Sequence, residues 1–117
     1  MTIGSTKRDG LIAGNFPLVA KEITVTGPAE FKRGDVIGAI AAGGYALADS
    51  TATDGSQNVV GIITDDTTAE ASANVVTTMY VKGEFNQRQL RFGGSDTVDN
   101  HIRHMTEIGL IVRETRI

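Results

Sequence analysis

The chain has 117 residues, of which 40% are hydrophobic and 21% are charged, and this length and balance fit one globular domain rather than two. Its net charge of −3 offers no basic surface to phosphate backbones, so we expect no direct binding of nucleic acid. There is no cysteine for disulfides or thiolate ligands, and no stretch approaches the roughly 20 apolar residues that a membrane-spanning helix needs.

The first 20 residues show no hydrophobic period. Glycine, small polar and charged residues separate the isolated apolar side chains, which include Ile3, Leu11, Ile12 and Phe16. Such a segment cannot bury enough apolar surface by itself to offset the entropy cost of ordering it. Two interpretations stay open, a frayed terminus, which the residues alone favour, and an arm that becomes ordered on a partner. We therefore divide the chain into a flexible N-terminal arm, residues 1–20, and a single domain, residues 21–117.

Beyond Lys21 the hydrophobic pattern has a period of two, which is typical of β-strands. Residues 59–63 are apolar on both faces, which predicts a central strand covered on both sides. Gly61 within this strand indicates that another group lies close to the backbone, and Gly83 is expected to break or bend the longest strand. The predicted strands are residues 22–26, 36–40, 45–47, 59–63, 75–82 with 84–86 beyond Gly83, 89–92 and 110–112.

One amphipathic helix is predicted near the C-terminus. Ser95 and Asp96 are good N-cap residues, and Gly109 is placed to end the helix in the left-handed conformation. The apolar stripe of the helix, at positions i, i+4 and i+7, consists of Val98, Ile102 and Met105. These elements predict an α+β fold, a compact strand-rich mixed β domain resembling a β-barrel or β-tulip, with one C-terminal helix.

The predicted helix also carries His101, His104 and Glu107 at a spacing of three residues. Imidazole and carboxylate groups bind divalent metals, but two histidines on one helical face are usually four residues apart. A histidine at the edge of the apolar stripe explains His101 without a metal. Asp65-Asp66 follows a strand as a solvated turn, with no further acidic residue at calcium-loop spacing. We therefore expect no metal site and no cofactor.

The sequence does not indicate catalysis. Ser95 and Asp96 precede the two histidines, but the nucleophile elbow Gly-x-Ser-x-Gly is absent, and a role as an N-cap pair explains both residues. The tripeptide Arg33-Gly34-Asp35, known from cell adhesion, is interpreted as a turn before a buried strand. The glycine clusters contain neither of the common phosphate-binding motifs. We expect a protein without enzymatic activity.

Several blocks from residue 31 to the C-terminus occur in an order that is similar to a known family. They are Arg-Gly-Asp-Val-Ile-Gly at 33–38, Asp-Gly-Ser-Gln at 54–57 with Val-Gly-Ile at 60–62, Tyr-Val-Lys-Gly-Glu-Phe-Asn at 80–86, and Glu-Ile-Gly-Leu at 107–110. This ordered set resembles the head decoration proteins of tailed bacteriophages, the group that includes the capsid-stabilising protein D of lambda. Residues 1–21 resemble the family least.

The resemblance implies a homotrimer on the outside of an expanded phage or prophage head, at three-fold positions, where it clamps the major capsid protein against DNA pressure. It also implies an N-terminal arm that adds a strand to a sheet of the capsid protein. The expected arm contacts are Ile3, Leu11, Ile12 and Phe16. Such a protein is made in the host cytoplasm and becomes part of the virion, without contact to membrane or nucleic acid.

Two alternatives belong to other functional classes. A small β-barrel module that binds a polymer or ligand needs a concave aromatic groove, for which the available residues are Tyr45, Tyr80, Phe85 and Phe92. A hydrolase needs Ser95 or Asp66 within hydrogen-bond reach of His101 or His104. Both alternatives therefore make geometric predictions.

Overall fold

Eight β-strands and one short α-helix form the part of the chain that the structure, a computed structural model, describes: residues 11–12 and 17–113. The strands are β1 (Val19–Thr26), β2 (Ala29–Phe31), β3 (Val36–Ala39), β4 (Tyr45–Leu47), β5 (Val59–Ile63), β6 (Thr67–Ala69), β7 (Asn74–Asn86) and β8 (Leu110–Arg113). The helix is α1 (Ile102–Ile108), and two 3-10 turns cover Gln87–Gln89 and Val98–Asn100. Within the described ranges, no helix is long and apolar enough to cross a membrane.

The strands form two sheets. Five strands of the larger sheet follow the order β1-β7-β5-β3-β4 with antiparallel pairing, and β8 pairs in parallel with the end of β7. β2 and β6 form a separate antiparallel pair. The α+β, strand-rich fold class with one helix is thereby confirmed, although the strands do not close into a barrel.

β5 lies in the middle of the larger sheet, as its apolar sequence predicts. It is flanked by β7 and β3, and four of its five residues are buried. A Cβ atom on Gly61 would lie 2.5 Å from the sulfur of Met79 and 2.9 Å from the carbonyl oxygen of Tyr80. The predicted close approach at Gly61 is therefore confirmed, because only glycine leaves room for these neighbours.

Gly83 changes the partners of β7 without ending the strand. β7 runs unbroken from Asn74 to Asn86, pairing with β1 as far as Lys82 and with β8 from Gly83 onward. Gly83 has a φ of +153°, and a Cβ atom there would lie 2.6 Å from Leu18 and 2.8 Å from Phe85. The expected break at Gly83 is thus the point where the partner of β7 changes from β1 to β8. A side chain at this position would collide with Leu18 and Phe85.

The buried side chains form two clusters. Val36 and Ile62 belong to the first cluster, and the residues that follow them, Ile37 and Ile63, belong to the second. Because successive side chains of a strand point to opposite faces, the clusters lie on opposite faces of the larger sheet. The first cluster includes Met105 of α1, which covers that face. It consists of Leu11, Val36, Ala48, Val59, Ile62, Phe85, Met105 and Leu110. The second consists of Ile23, Val25, Phe31, Ile37, Ile63, Ala69 and Met79, with the β2–β6 pair supplying Phe31 and Ala69.

The predicted start of the helix is wrong. α1 begins at Ile102, since Asp96 does not cap it but accepts hydrogen bonds from Ser50 and meets His101. The predicted end is confirmed, because Gly109 has a φ of +97° and its amide contacts the carbonyl groups of the last turn.

The predicted strand at 89–92 is also wrong. This segment contains the end of a 3-10 turn and a single bridge between Arg91 and Asp35. β2 and β6 were not predicted, because three residues are too few to establish a period of two.

Candidate functional site

The N-terminal segment meets β7 at two places before β1 is fully formed. The amide of Asn86 donates a 2.8 Å hydrogen bond to the carbonyl of Leu11, and Ile12 forms an antiparallel bridge with Phe85. Farther along, Val19 pairs with Lys82 as the first residue of β1. The segment is therefore attached to the domain on both sides of residues 13–18.

Three exposed apolar residues lie around this junction, and we call them the entry patch: Ile12, Leu18 and Val19. Their exposed fractions are 38%, 46% and 41%. Leu18 packs next to Gly83, and its two companions pair with β7 at Phe85 and Lys82. Isolated exposed hydrophobic residues are common, so these three form a candidate contact surface because they surround the same segment.

The four predicted arm residues do not share one environment. Leu11 is 1% exposed and packs in the first core cluster, so its side chain contributes to the fold in this state. Ile12 belongs to the entry patch. Ile3 and Phe16 lie outside the described residues, as does most of the predicted arm at 1–20, so the arm boundary and the four contacts stay predictions.

β1 forms one edge of the larger sheet. Among the residues that the structure describes, β1 pairs with β7 only, so no described strand lies along the other side of its eight-residue backbone. Lys21 and Glu22 are exposed on it, and such charges at a sheet edge discourage indiscriminate pairing. An open edge next to an apolar patch suits recognition of an extended partner segment.

A buried pair, His101 and Asp96, connects the start of the helix to the loop after β4. Nε2 of His101 lies 2.6 Å from Oδ2 of Asp96, with both side chains at most 5% exposed. The same carboxylate accepts hydrogen bonds from the amide and hydroxyl of Ser50, at 2.6 and 2.9 Å. The ring of Phe92 stacks on His101 at 5.2 Å. This buried cluster links the loop after β4 to the segment that precedes α1.

We expect Asp96→Asn to lower the free energy of unfolding by about 2 kcal/mol at neutral pH, because it weakens buried hydrogen bonds to a charged group. Burial raises the pKa of Asp96, but the hydrogen bonds from Ser50 and His101 outweigh burial and hold the pKa below its ordinary value of 3.8. A carboxylate with a lowered folded-state pKa stabilises above the unfolded value and loses that contribution as the pH falls.

The difference in the free energy of unfolding between the natural protein and Asp96→Asn should therefore be full at about pH 5 and shrink as the pH falls below about 4. Denaturation in urea at several pH values measures it. Asp99→Asn, in the adjacent exposed turn, controls for the change in formal charge. A difference that grows on acidification would contradict this account.

The residues that the hydrolase alternative requires are not brought together. His101 bonds to Asp96, and Nε2 of His104 lies 3.1 Å from the carbonyl of Val59. Asp66 instead accepts a hydrogen bond from the amide of Arg33, at 2.9 Å. Among the residues that the structure describes, no three histidine, aspartate or glutamate side chains are grouped to hold a metal ion.

The aromatic groove of the β-barrel alternative is not formed either. Phe85 is fully buried, with the ring of Tyr80 tilted against it at 5.4 Å. Phe92 packs on His101, whereas Tyr45 packs against the second core cluster. Tyr80, Phe85 and Phe92 therefore pack in or against the first core cluster and Tyr45 against the second, so the four side chains serve the interior and do not line one groove.

The Arg33-Gly34-Asp35 tripeptide is a structural turn, as predicted. Gly34 has a φ of +97°, and the side chain of Asp35 is 1% exposed. Arg91 donates to both oxygens of Asp35 at 2.7 Å, and these hydrogen bonds, followed by the opposite charge, raise the pKa of Arg91. The Asp35–Arg91 pair was missed, since no local pattern connects residues 56 positions apart.

One comparison with known proteins agrees with the resemblance, whereas no curated protein gave a significant match. The model of one family, described as bacteriophage lambda head decoration protein D, matches residues 1–107 and so includes the N-terminal segment. This family is one of structural capsid proteins rather than enzymes. Since the match covers nearly the whole chain, the protein belongs to the bacteriophage lambda head decoration protein D family.

Proposed function

We propose that this phage head decoration protein binds the outside of an expanded head as a homotrimer, at three-fold positions, and stabilises the shell against the pressure of packaged DNA. Its partner is the major capsid protein of a tailed phage or prophage. The N-terminal arm adds a strand to a sheet of that protein. The observation that carries the proposal is the family match over residues 1–107, which spans both the arm and the domain.

Strand addition explains how a small protein can hold a large shell. Main-chain hydrogen bonds between the arm and the capsid sheet supply affinity, and apolar side chains select the register. Three arms on one trimer bind together, so that the second and third arms act at a high effective concentration. Weak binding by each single arm therefore adds up to tight binding of the trimer to the shell.

The surface around the N-terminal segment supports this placement. The entry patch exposes Ile12, Leu18 and Val19 where the segment joins the domain, and the edge of β1 lies next to it. Shell contact by this side of the molecule removes these apolar side chains from water. Ile3, Leu11, Ile12 and Phe16 stay the proposed arm contacts, although Leu11 is buried in the domain in this state.

Deleting residues 1–10 is expected to abolish co-pelleting with expanded shells and to leave thermal unfolding of the domain nearly unchanged. The deletion ends before Leu11, so it removes no residue of the described core. Binding should also fail with unexpanded shells. Undiminished binding by the shortened protein would overturn the role of the arm.

A matched pair of surface substitutions tests the entry patch separately. Ile12→Ser should weaken binding to expanded shells about tenfold, because an apolar contact of roughly 1.5 kcal/mol is lost. Val76→Ser is the control, since Val76 is 61% exposed on β7 but lies away from the entry patch. Equal effects of the two substitutions would exclude the entry patch as the contact surface.

The trimer is tested by sedimentation of the free protein and of the protein released from shells. A trimer in either sample supports the proposal. A monomer in both, at concentrations far above those used for binding, would count against it.

A further inference from the structure

We infer that Leu11 is a positioning residue. It anchors the N-terminal segment to the domain, so that the free arm ends at Leu11 and not at Lys21. The inference rests on the proposed binding of the arm to the capsid. It shortens the working arm from about 20 residues to the ten that precede Leu11 in the sequence.

The anchor uses both the side chain and the main chain of Leu11. The side chain is 1% exposed and belongs to the core cluster that includes Phe85, Met105 and Leu110. The carbonyl oxygen of Leu11 accepts a hydrogen bond from the amide of Asn86, and Asn86 is itself only 2% exposed. Withdrawal of Leu11 leaves a cavity and an unpaired buried amide, both of which are costly, so the anchored state predominates.

The next residue faces the opposite way. Ile12 forms the bridge with Phe85 but exposes 38% of its surface, so the pair alternates in and out as residues on a strand do. Leu11 therefore serves the core and Ile12 the entry patch. The sequence offers both as apolar residues of the arm, and only the packing assigns them different roles.

A second attachment to β7, at Val19, closes residues 13–18 into a loop. Val19 pairs with Lys82, so residues 13–18 connect two fixed points on β7 and add nothing to the reach of the arm. Ten extended residues span at most about 33–36 Å, against twice that for twenty. A shorter tether keeps the arm at a higher effective concentration near its site on the shell.

A spacer inserted at two positions tests this origin. The same ten-residue Gly-Ser spacer is placed either between Gly10 and Leu11 or between Gly14 and Asn15, and affinity for purified expanded shells is measured. Because effective concentration falls with about the 3/2 power of tether length, the first spacer should weaken binding about threefold per arm. The second should change it by less than about 1.5-fold, since it only enlarges a closed loop.

Leu11→Ala should remove the distinction between the two positions. With the anchor lost, both spacers lengthen the same free arm, and each should weaken binding about twofold per arm. Leu110→Ala is the matched control, because it creates a similar cavity in the same core cluster without releasing the arm. In that background the two positions should still differ. Equal effects of both spacers in the otherwise natural chain would overturn the inference.

Hydrogen exchange in the free protein provides a readout that does not depend on shells. The Asn86 amide should exchange at least ten times faster in Leu11→Ala than in Leu110→Ala, since only the former releases the segment whose main-chain carbonyl at position 11 accepts its hydrogen bond. Equal exchange in both variants would refute the anchor. Failure of the natural protein to bind any shell refutes the proposed function instead, and the exchange result still decides whether Leu11 fixes the segment.

Discussion

Replacing Phe85 by alanine is expected to lower the free energy of unfolding by about 4 kcal/mol, the largest effect of a single substitution among those proposed. Phe85 is completely buried where β7 meets β8 on one side and Ile12 on the other. Its ring lies against Tyr80 and beside the backbone of Gly83, and truncation leaves a cavity that these fixed neighbours cannot fill. Urea denaturation followed by circular dichroism measures the loss as a lower midpoint at unchanged slope.

Two further variants make the measurement specific. Phe85→Leu keeps most of the volume and should cost no more than about 1.5 kcal/mol. Val76→Ala lies on the same strand, but Val76 is 61% exposed, so the change should stay within about 0.5 kcal/mol. A loss below about 1 kcal/mol for Phe85→Ala would show that the junction of β7, β8 and the N-terminal segment is not packed as described.

Replacing Arg91 by methionine is expected to cost about 3 kcal/mol, because it removes the partner of a buried charge. Asp35 then keeps only the amide of Lys32, at 2.8 Å, in place of three hydrogen bonds. The side chain of Asp35 is 1% exposed while that of Arg91 is 56% exposed, so the cost comes from the carboxylate left without its cation. Urea denaturation at neutral pH again provides the measurement.

Arg103→Met is the matched control for this substitution. Arg103 is 93% exposed and lies 3.7 Å from Glu107, so the loss of its ion pair should cost at most about 0.5 kcal/mol. Adding Asp35→Asn to Arg91→Met should recover part of the stability, because it removes the uncompensated charge. If the double variant is less stable than Arg91→Met alone, the cost does not arise from the buried carboxylate.

Local patterns in the sequence predict those elements whose environment is uniform along the strand or helix. Residues 59–63 are apolar on both faces, and β5 is the central strand. Gly61 and Gly109 were each placed correctly, one by the need for close approach and one by the need for a left-handed backbone. The helix start was misplaced because Asp96 has a partner 46 residues away that competes with capping.

The sequence likewise predicts some features of the candidate site and not others. Composition and lack of period mark the N-terminal segment as unusual, and its apolar residues can be named from the sequence. Their roles cannot be predicted from the sequence, because Leu11 and Ile12 are equally apolar. In the structure Leu11 is buried, whereas Ile12 pairs with Phe85 and stays partly exposed. The entry patch likewise combines residues whose proximity depends on the pairing of β1 with β7.

The sequence by itself determined the strand-rich class, the central strand, the helix end and the family. The first three depend on neighbours within a few residues, where periodicity and backbone preference act directly, whereas the family follows from the order of blocks between residues 33 and 110. Only the tertiary structure decided the strand order, the Asp35–Arg91 and Asp96–Ser50 contacts, and the burial of Leu11. The two side-chain contacts and the hydrogen bond from Asn86 to Leu11 join segments 46 to 75 positions apart, where the free energy comes from burial and hydrogen bonds that exist only after the chain has folded.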